Sequence, residues 1–179
     1  MNTVPHNIDL ILTVIGDDRP GLVEQLAASI AEHGGNWLES SLSHLSGKFA
    51  GIVRVECAAE QADALRAALS ALPSLTVAAQ LTQAVDIAPA GRHLTLSLTG
   101  HDRVGIVREV SQVIARHGVN VEGLTTWTSS APMSGETLFH AEAALQADAG
   151  LDTDALLAAL EAISNELVVD ILLDEIDAH

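Results

Sequence analysis

The sequence is poor in aromatic residues, in cysteine and in positive charge. Its 179 residues include two Trp, two Phe, no Tyr and one Cys, and only 8 residues are Lys or Arg. The 24 acidic residues bring the formal net charge to −16, which would repel nucleic acid and anionic membrane surfaces. We therefore expect no direct binding of nucleic acid and no membrane partner.

Metal sites, disulfides and membrane-spanning segments also lack support in the sequence. The single cysteine, Cys57, cannot form an internal disulfide, and no Cys–His cluster of the zinc-binding kind is present, so we expect no metal and no cofactor. The longest apolar run, residues 155–160, is far shorter than the ~20 residues that span a bilayer. Residues 1–9 lack a basic flank followed by an apolar stretch, and we expect a cytoplasmic protein.

The sequence contains an internal repeat. The segment 16–21 (GDDRPG) recurs at 100–105 (GHDRVG), an offset of 84, and the same offset aligns 33–36 (HGGN) with 117–120 (HGVN). The turn residues Ser-Gly at 46–47 recur at 134–135, an offset of 88, which predicts four extra residues in the second copy. The expected domains are module 1 at residues 6–86, a linker at 87–92 and module 2 at 93–177.

Hydrophobic periodicity predicts the same element order in both copies. Alternating apolar residues indicate strands, and apolar residues spaced by three and four indicate helices. The predicted fold is α+β: two ferredoxin-like βαββαβ modules, each a four-stranded antiparallel sheet with two helices on one face. The first helix of each copy is predicted to begin at Leu22 or Ile106, and the second helices are predicted at 61–71 and 152–164. The predicted strands are 8–15, 36–45, 48–57 and 74–85, then 93–99, 119–129, 136–145 and 167–176.

Residues at the predicted helix ends have a structural explanation. Asp18 and Asp102 precede the first helix of each copy, where a carboxylate can accept backbone N–H groups, and Pro20 suits a first helical turn. The helix C-termini are marked by a repeated His-Gly pair in which the glycine, Gly34 or Gly118, is expected to form a left-handed cap. The two histidines are His33 and His117, which we expect to be capping or surface groups.

The segment 16–21, followed by Gly-Gly-Asn at the start of the second strand, resembles the ACT domain, and the resemblance extends over about residues 8–177. The resemblance implies a regulatory module that binds amino acids where the loop after the first strand meets the second-strand edge of a neighbouring module. Carried over to this chain, it implies a ligand site made by Asp17, Asp18, Arg19, Gly21 and Asn36 in copy one and by His101, Asp102, Arg103, Gly105 and Asn120 in copy two. Copy two departs from the pattern at His101 and at residue 104, so the two sites are expected to differ or only one to function.

The same loops are chemically suited to an amino acid. A helix N-terminus attracts a carboxylate, and Arg19 or Arg103 could add a second anchor. The ammonium group needs an acceptor, which Asp17 or an asparagine amide could provide, and a glycine permits close approach. Each residue also has a structural alternative: the second aspartate as a cap, the glycines in packing, the arginines as solvated charges and the asparagines in turns.

These observations leave two functions open. The first is a cytoplasmic sensor that binds a small amino acid, with glycine or serine implied by the resemblance, and acts through a DNA-binding regulator protein. The alternative is a ligand-independent interaction module, with a homodimer possible. No catalytic motif supports an enzyme, and Cys57 in an apolar alternation is expected to be an inert core thiol. The acidic stretch Asp170, Asp174, Glu175 and Asp177 is interpreted as a solvated strand edge rather than as a docking surface for a basic protein.

Overall fold

The computed structural model describes residues 6–82, 91–132, 134–163 and 168–174, the last segment from residue 169 as backbone only. The chain divides into two compact units, residues 1–86 and 87–179. Most of the predicted linker at 87–92 lies outside the described residues, as do Glu175 and Asp177 of the acidic stretch.

Module 1 is an antiparallel sheet with its helices on one side. Its strands follow the order β2-β3-β1-β4, so that β2 and β4 are the edges of the sheet. A 3₁₀ turn at Ala59–Gln61 precedes the second helix. The elements of module 1 are β1 (Asn7–Asp17), α1 (Leu22–Glu32), β2 (Asn36–Leu45), β3 (Lys48–Ala58), α2 (Ala62–Ser70) and β4 (Leu75–Thr82).

Module 2 repeats this architecture. The strand order is β6-β7-β5-β8, with β6 in the edge position that β2 occupies in module 1. Both modules therefore have the predicted α+β, ferredoxin-like βαββαβ fold. The elements of module 2 are β5 (Arg92–His101), α3 (Ile106–Arg116), β6 (Asn120–Ser130), β7 (Thr137–Ala147), α4 (Thr153–Glu161) and β8 (Val168–Asp174).

Aliphatic side chains fill both cores. In each module, alternate residues of the central strands point towards the helices and pack on the apolar faces of both. Phe139 is the only aromatic residue among the buried hydrophobic residues that the structure describes. The low aromatic content of the sequence is therefore compensated by leucine, whose fully buried examples are Leu10, Leu12, Leu26, Leu65, Leu69, Leu94, Leu96, Leu98, Leu145, Leu156 and Leu160.

Cys57 lies on the helix-facing side of β3, opposite Ile8 of β1. Its side chain is buried in the core of module 1, and burial raises the pKa of the thiol. A thiol with a raised pKa carries little thiolate at neutral pH, in agreement with the expected inert core residue.

The hairpin between the second and third strands differs in length between the modules. In module 1 Gly16 pairs with Phe49, and in module 2 Gly100 pairs with Phe139, so the offset between the copies rises from 84 to 90. The second copy therefore has six extra residues at this point, and the predicted number of four is wrong. The error arose because Gly47 and Gly135 both adopt a left-handed turn conformation, yet they lie at different positions in loops of different length.

The predicted C-terminal caps of the first helix of each module are confirmed. Gly34 and Gly118 have φ angles of 70° and 69°, which favour glycine. In the same turns, Nδ1–H of His33 donates to the carbonyl of Ser29 at 2.9 Å, and Nδ1–H of His117 donates to that of Val113 at 2.9 Å. Both histidines therefore satisfy carbonyl groups at the ends of their helices.

Among the described residues, none of the helices has the length and apolar character needed to cross a bilayer. Within the same residues, His, Cys, Asp and Glu side chains do not gather in groups of three or more that could hold a metal ion.

Candidate functional site

The loops between the first strand and first helix of each module have one backbone conformation. Each helix starts directly after a glycine, Gly21 or Gly105, whose φ angle is 92°. The aspartate three residues earlier forms a backbone bond instead: Asp18 N–H donates to Gly47 O, and Asp102 N–H to Thr137 O, both at 2.9 Å. These bonds fasten each loop to the hairpin between the next two strands.

The predicted capping roles of Asp18 and Asp102 are wrong. Neither helix start has a side-chain cap, because the left-handed glycine occupies the cap position and the aspartates lie too early in the loop. Pro20 precedes that glycine and so lies in the loop rather than in the first helical turn. Both carboxylates belong to exposed residues, which leaves them accessible from solvent.

The two glycines are required for their backbone conformation rather than for close packing. A Cβ atom at Gly21 would come no closer than 3.9 Å to Glu24 Oε2, and one at Gly105 no closer than 4.0 Å to Glu109 Oε1. Among the residues that the structure describes, therefore, no atom approaches these positions closely. The positive φ angle alone makes replacement of either glycine by another residue destabilising.

In the loop of module 1, one charged side chain, Asp17, is in an ion pair, and another, Arg19, is not. Asp17 forms an ion pair with Lys48 across the end of the sheet, and this bond lowers the pKa of the Asp17 carboxyl. Arg19 is exposed, and its positive charge also helps to lower the pKa of Asp17. Among the residues that the structure describes, its guanidinium makes no hydrogen bond and no ion pair within 4 Å. A guanidinium in this state can form a bidentate bond with an incoming carboxylate.

The loop of module 2 has the opposite arrangement. Both terminal nitrogens of Arg103 donate to Glu109, with Nη1–Oε1 at 2.9 Å and Nη2–Oε2 at 2.5 Å. This bidentate pair raises the pKa of Arg103 and lowers that of Glu109. His101 stands where module 1 has Asp17, and its Nδ1 lies 3.6 Å from Glu136 Oε2.

The different states of the two arginines coincide with one substitution in the first helix. At the offset of 84, Gln25 in α1 takes the place of Glu109 in α3. A neutral amide cannot neutralise a guanidinium, so Arg19 stays open where Arg103 is paired. Aligning the two copies over the whole first helix shows this difference directly, although the sequence-based interpretation overlooked it.

The predicted site residues fall into two groups at opposite ends of each sheet. Asp17 pairs with Lys48 at one end of β3, and Asn36 pairs with Glu56 near the other. The two pairs are eight positions apart along β3, a distance of about 26 Å at ~3.3 Å per residue. Asn120 is separated from the loop of module 2 in the same way, since it pairs with Gln146 while His101 pairs with Leu138. Within one module, the asparagine and the loop are not brought together.

An open depression of ≈490 Å³ lies beside the loop end of module 1. It is bordered by the Asp17–Lys48 pair and by the chain between α2 and β4. Ser70 at the end of α2, whose hydroxyl donates to Arg66 O, and Ser74 of that connection line the depression.

A cluster on the open face of the module 2 sheet was not predicted. The Trp127 ring stacks on His140, with ring centroids 5.2 Å apart and an interplanar angle of 9°. His140 Nε2 lies 2.7 Å from Ser129 Oγ, and Nδ1 lies 3.1 Å from Thr99 Oγ1. The signal in the sequence is a single tryptophan in a strand that contains three threonines and two serines, but only the pairing of β6 with β7 identifies its histidine partner.

Comparison with known proteins identifies the family. The sequence pattern of the ACT domain matches residues 9–85 and again residues 94–165. No curated protein sequence matches the chain.

Two solved structures are similar to this chain over both of its modules. A protein of unknown function from Galdieria sulphuraria is 28% identical, with a TM-score of 0.79, over 94% of this chain and 99% of that one. A proposed glycine cleavage system transcriptional repressor is 16% identical, with a TM-score of 0.71, over 94% of this chain and 99% of its own. The second likeness is one of fold. With an ACT-domain match in each half, the chain belongs to the ACT-domain family and consists of two ACT domains in tandem.

Proposed function

We propose that the chain is a regulatory amino-acid sensor rather than an enzyme, that it binds a small amino acid such as glycine or serine, and that it acts in the cytoplasm through a protein partner. ACT domains are regulatory modules, and this chain contains two of them. The fold likeness to a proposed glycine cleavage system transcriptional repressor supports glycine as the first ligand to test and a DNA-binding regulator as the partner.

The observation that carries the proposal is the loop of module 1. Arg19 is an open cation directly before a helix start that lacks a side-chain cap. The free N–H groups of that first turn and the guanidinium together can hold an α-carboxylate. Asp18 is exposed and does not cap the helix, so its carboxylate is available to accept from an ammonium group.

The separation of each loop from its own asparagine supports a site shared by two modules. A ligand of the size of glycine cannot span the ~26 Å between Asp17 and Asn36 along one sheet. If both groups contact one ligand, the asparagine comes from a second module, either the sibling module or one of a second copy. We therefore propose that the ligand lies at an interface between modules.

The first test is isothermal titration calorimetry of the whole chain with glycine and with serine. We expect binding heat, together with a rise in melting temperature, because a ligand that binds only the native state stabilises it. Arg19→Ala should abolish this response. Arg66→Ala is the matched control, since Arg66 is an exposed arginine on α2 whose ion pair is with Asp63, and it should bind glycine as the wild type does.

The alternative function, a ligand-independent interaction module, predicts a different result. In that case none of the proteinogenic amino acids produces heat, and Arg19→Ala leaves every measured association unchanged. That result would show the sensor proposal to be wrong. A signal for glycine that Arg19→Ala and Arg66→Ala reduce equally would instead show that the loop of module 1 is not the site.

A further inference from the structure

The open face of the module 1 sheet, which points away from the helices, carries exposed apolar side chains. Three isoleucines of the two central strands alternate with the core residues and so lie on this face: Ile11 and Ile15 of β1 and Ile52 of β3. Ile15 and Ile52 are 47% and 54% exposed, and Ile11 is half-buried. We call these three residues the isoleucine patch. Adjacent exposed apolar side chains of this kind commonly mark a protein interface.

Module 2 provides an internal control for the isoleucine patch, because it has the same fold. By repeat offset and strand register, each isoleucine of the patch has a polar residue at the equivalent position of module 2: Thr95, Thr99 and Glu142. The fold therefore does not require apolar residues at these positions. The uncovered face of an antiparallel sheet is normally polar, so the isoleucine patch indicates a face that a partner covers.

The isoleucine patch has a shape that can fit a copy of itself. A depression of ≈170 Å³ lies beside Ile11 and Ile52, with Ser41 and Arg54 on its border. Ile15 lies four residues along β1 from Ile11 and is more exposed. An aliphatic side chain of an opposing surface can enter the depression, so the patch offers both a projecting side chain and a recess that can receive one.

The two ends of this face differ in charge. The end near the start of β1 has three carboxylates and one guanidinium, those of Asp9, Glu39, Glu56 and Arg54. At the other end, Lys48 is paired with Asp17. Two copies with like ends together would bring two negative ends into contact, whereas opposite ends would place each Lys48 near the carboxylates of the other copy. The charges therefore favour an antiparallel arrangement of two such faces.

We infer that the isoleucine patch is an interface with the same patch of a second copy of this chain. The two sheets face each other in antiparallel orientation about a twofold axis near Thr13, so that Ile15 of each copy enters the depression beside Ile11 of the other. The open face of module 2 does not match the patch, because it has Glu142 at the position of Ile52. The inference goes beyond the proposed function and does not depend on the amino-acid site.

The size of the face predicts a reversible association. Four strands ~4.8 Å apart, with about eight residues each at ~3.3 Å per residue, give a face of about 500 Å² per copy and about 1,000 Å² for the pair. Stable complexes typically bury about 1,200–2,000 Å². We therefore expect a dimer whose population depends on the protein concentration.

The test is sedimentation velocity of the whole chain from about 2 to about 200 µM, over which the average mass of the wild type should rise. Ile52→Glu should raise the dissociation constant by at least about tenfold, because it places a carboxylate in an apolar contact. Module 2 has a glutamate at the equivalent position, so folding should be retained, as circular dichroism can verify.

Val168→Glu is the matched control for Ile52→Glu. Val168 is also an exposed β-branched residue, 70% accessible, and it pairs with Thr99 on the open face of module 2. The same charge is therefore added to the same face of the other module. This variant should change the dissociation constant by less than about twofold.

A third variant tests the orientation of the two faces. In the antiparallel arrangement, Glu56 of one copy lies near Lys48 of the other, so Glu56→Lys should weaken the association. If like ends met instead, the same change would relieve repulsion between carboxylates and strengthen it. The measurement is made in about 0.05 M NaCl, because higher salt screens these surface charges.

Several outcomes would overturn the inference. A wild type that sediments at the mass of the Ile52→Glu protein at every concentration, or equal effects of Ile52→Glu and Val168→Glu, would show that the patch is not an interface. Tighter association of Glu56→Lys would reject the antiparallel arrangement. If modules also pair along their edge strands, Ile52→Glu keeps that assembly, and the wild type at high concentration has twice its mass.

Glycine calorimetry on the same samples separates this test from that of the sensor proposal. Arg19→Ala should abolish glycine binding and sediment as the wild type does. Association through the isoleucine patch without any glycine signal would support the interface and reject the sensor, whereas glycine binding by a wild type that does not associate would support the sensor and reject the interface.

Discussion

The two modules share a core and differ at their edges and loops. Leucine occupies equivalent buried positions in both, for example Leu65 in α2 and Leu156 in α4. The solvent-facing differences are local. Arg19 is unpaired, whereas Arg103 is paired with Glu109. On the helix-facing side of the edge strand, Leu42 of β2 packs against the core of module 1, whereas in module 2 a small apolar groove lies between Thr126 of β6 and Val107 of α3. The two copies of the fold thus share their core packing, but the exposed side chains of their loops and edge strands differ.

The largest expected effect tests whether the cores are independent. Leu65→Ala should lower the free energy of unfolding of module 1 by about 2–5 kcal/mol, because it removes a fully buried side chain and leaves a cavity. Leu156→Ala should do the same in module 2. Each module contains one tryptophan, Trp37 or Trp127, so urea unfolding monitored in single-tryptophan variants reports each module separately.

If Leu65→Ala shifts the Trp127 transition as far as the Trp37 transition, the two cores unfold as one cooperative unit. In that case the comparison of two separate modules would not extend to their stability.

The next effect tests the shared loop conformation. Gly21→Ala and Gly105→Ala should each cost about 1–2 kcal/mol, because a side chain at a φ of 92° is strained even where space is available. Gly150→Ala is the control, since a Cβ atom there meets no atom within 4 Å and its φ lies outside the left-handed region. Unequal costs at the two loop glycines, measured in urea, would show that the loops are less alike than their backbones.

A smaller effect tests the difference between the edges. Leu42→Thr should destabilise module 1 by about 1 kcal/mol, because it exposes a groove that this side chain helps to fill. Thr126→Leu, the reciprocal change, should stabilise module 2 by up to about 1 kcal/mol. Both changes can be measured by urea unfolding with the tryptophan of the same module as the probe. Stabilisation of neither module would mean that the two grooves are not equivalent.

The smallest expected effect on stability is at Glu109, where a substitution should also change glycine binding. Glu109→Gln should release Arg103 and allow module 2, which contributes no binding in the wild type, to bind glycine. Gln25→Glu should pair with Arg19 and reduce glycine binding by module 1. Both changes are measured by calorimetry. Because the pair lowers the pKa of Glu109, its stabilisation is present above the unfolded value of 4.5 and is lost as the pH falls through the folded value. An acid titration of stability that is unchanged in Glu109→Gln would contradict this assignment.

The sequence allowed the fold to be predicted because both copies carry the same local signals. The apolar residues that alternate in β1 and β5, and those with helical spacing in α1 and α3, are the residues that the structure buries. Predictions that depend on loop geometry were less accurate. Aspartate is a residue type that commonly caps helices, which is why Asp18 was expected to be a cap. The position of the cap depends on the φ angle of Gly21, and the sequence pattern does not determine that angle.

The equivalence of the two loops could be predicted from the sequence, but the contacts that their side chains make could not. The motif identifies Arg19 and Arg103 as equivalent, yet their states depend on position 25 or 109, which lies in the first helix beyond the motif. The stacking of Trp127 on His140 depends on strand register, which composition does not determine. When two side chains come into contact only because their strands pair, a single sequence does not show that they are neighbours.

One irregularity is common to both halves: the edge strand has a bulge between Trp37 and Glu39 in module 1, and between Val121 and Gly123 at the same repeat position in module 2. A defect placed identically in two copies is most simply inherited from the single ancestral module that was duplicated. The bulge then predates the duplication. The longer hairpin, the paired arginine and the apolar groove are found only in module 2, so these differences arose after the two halves diverged.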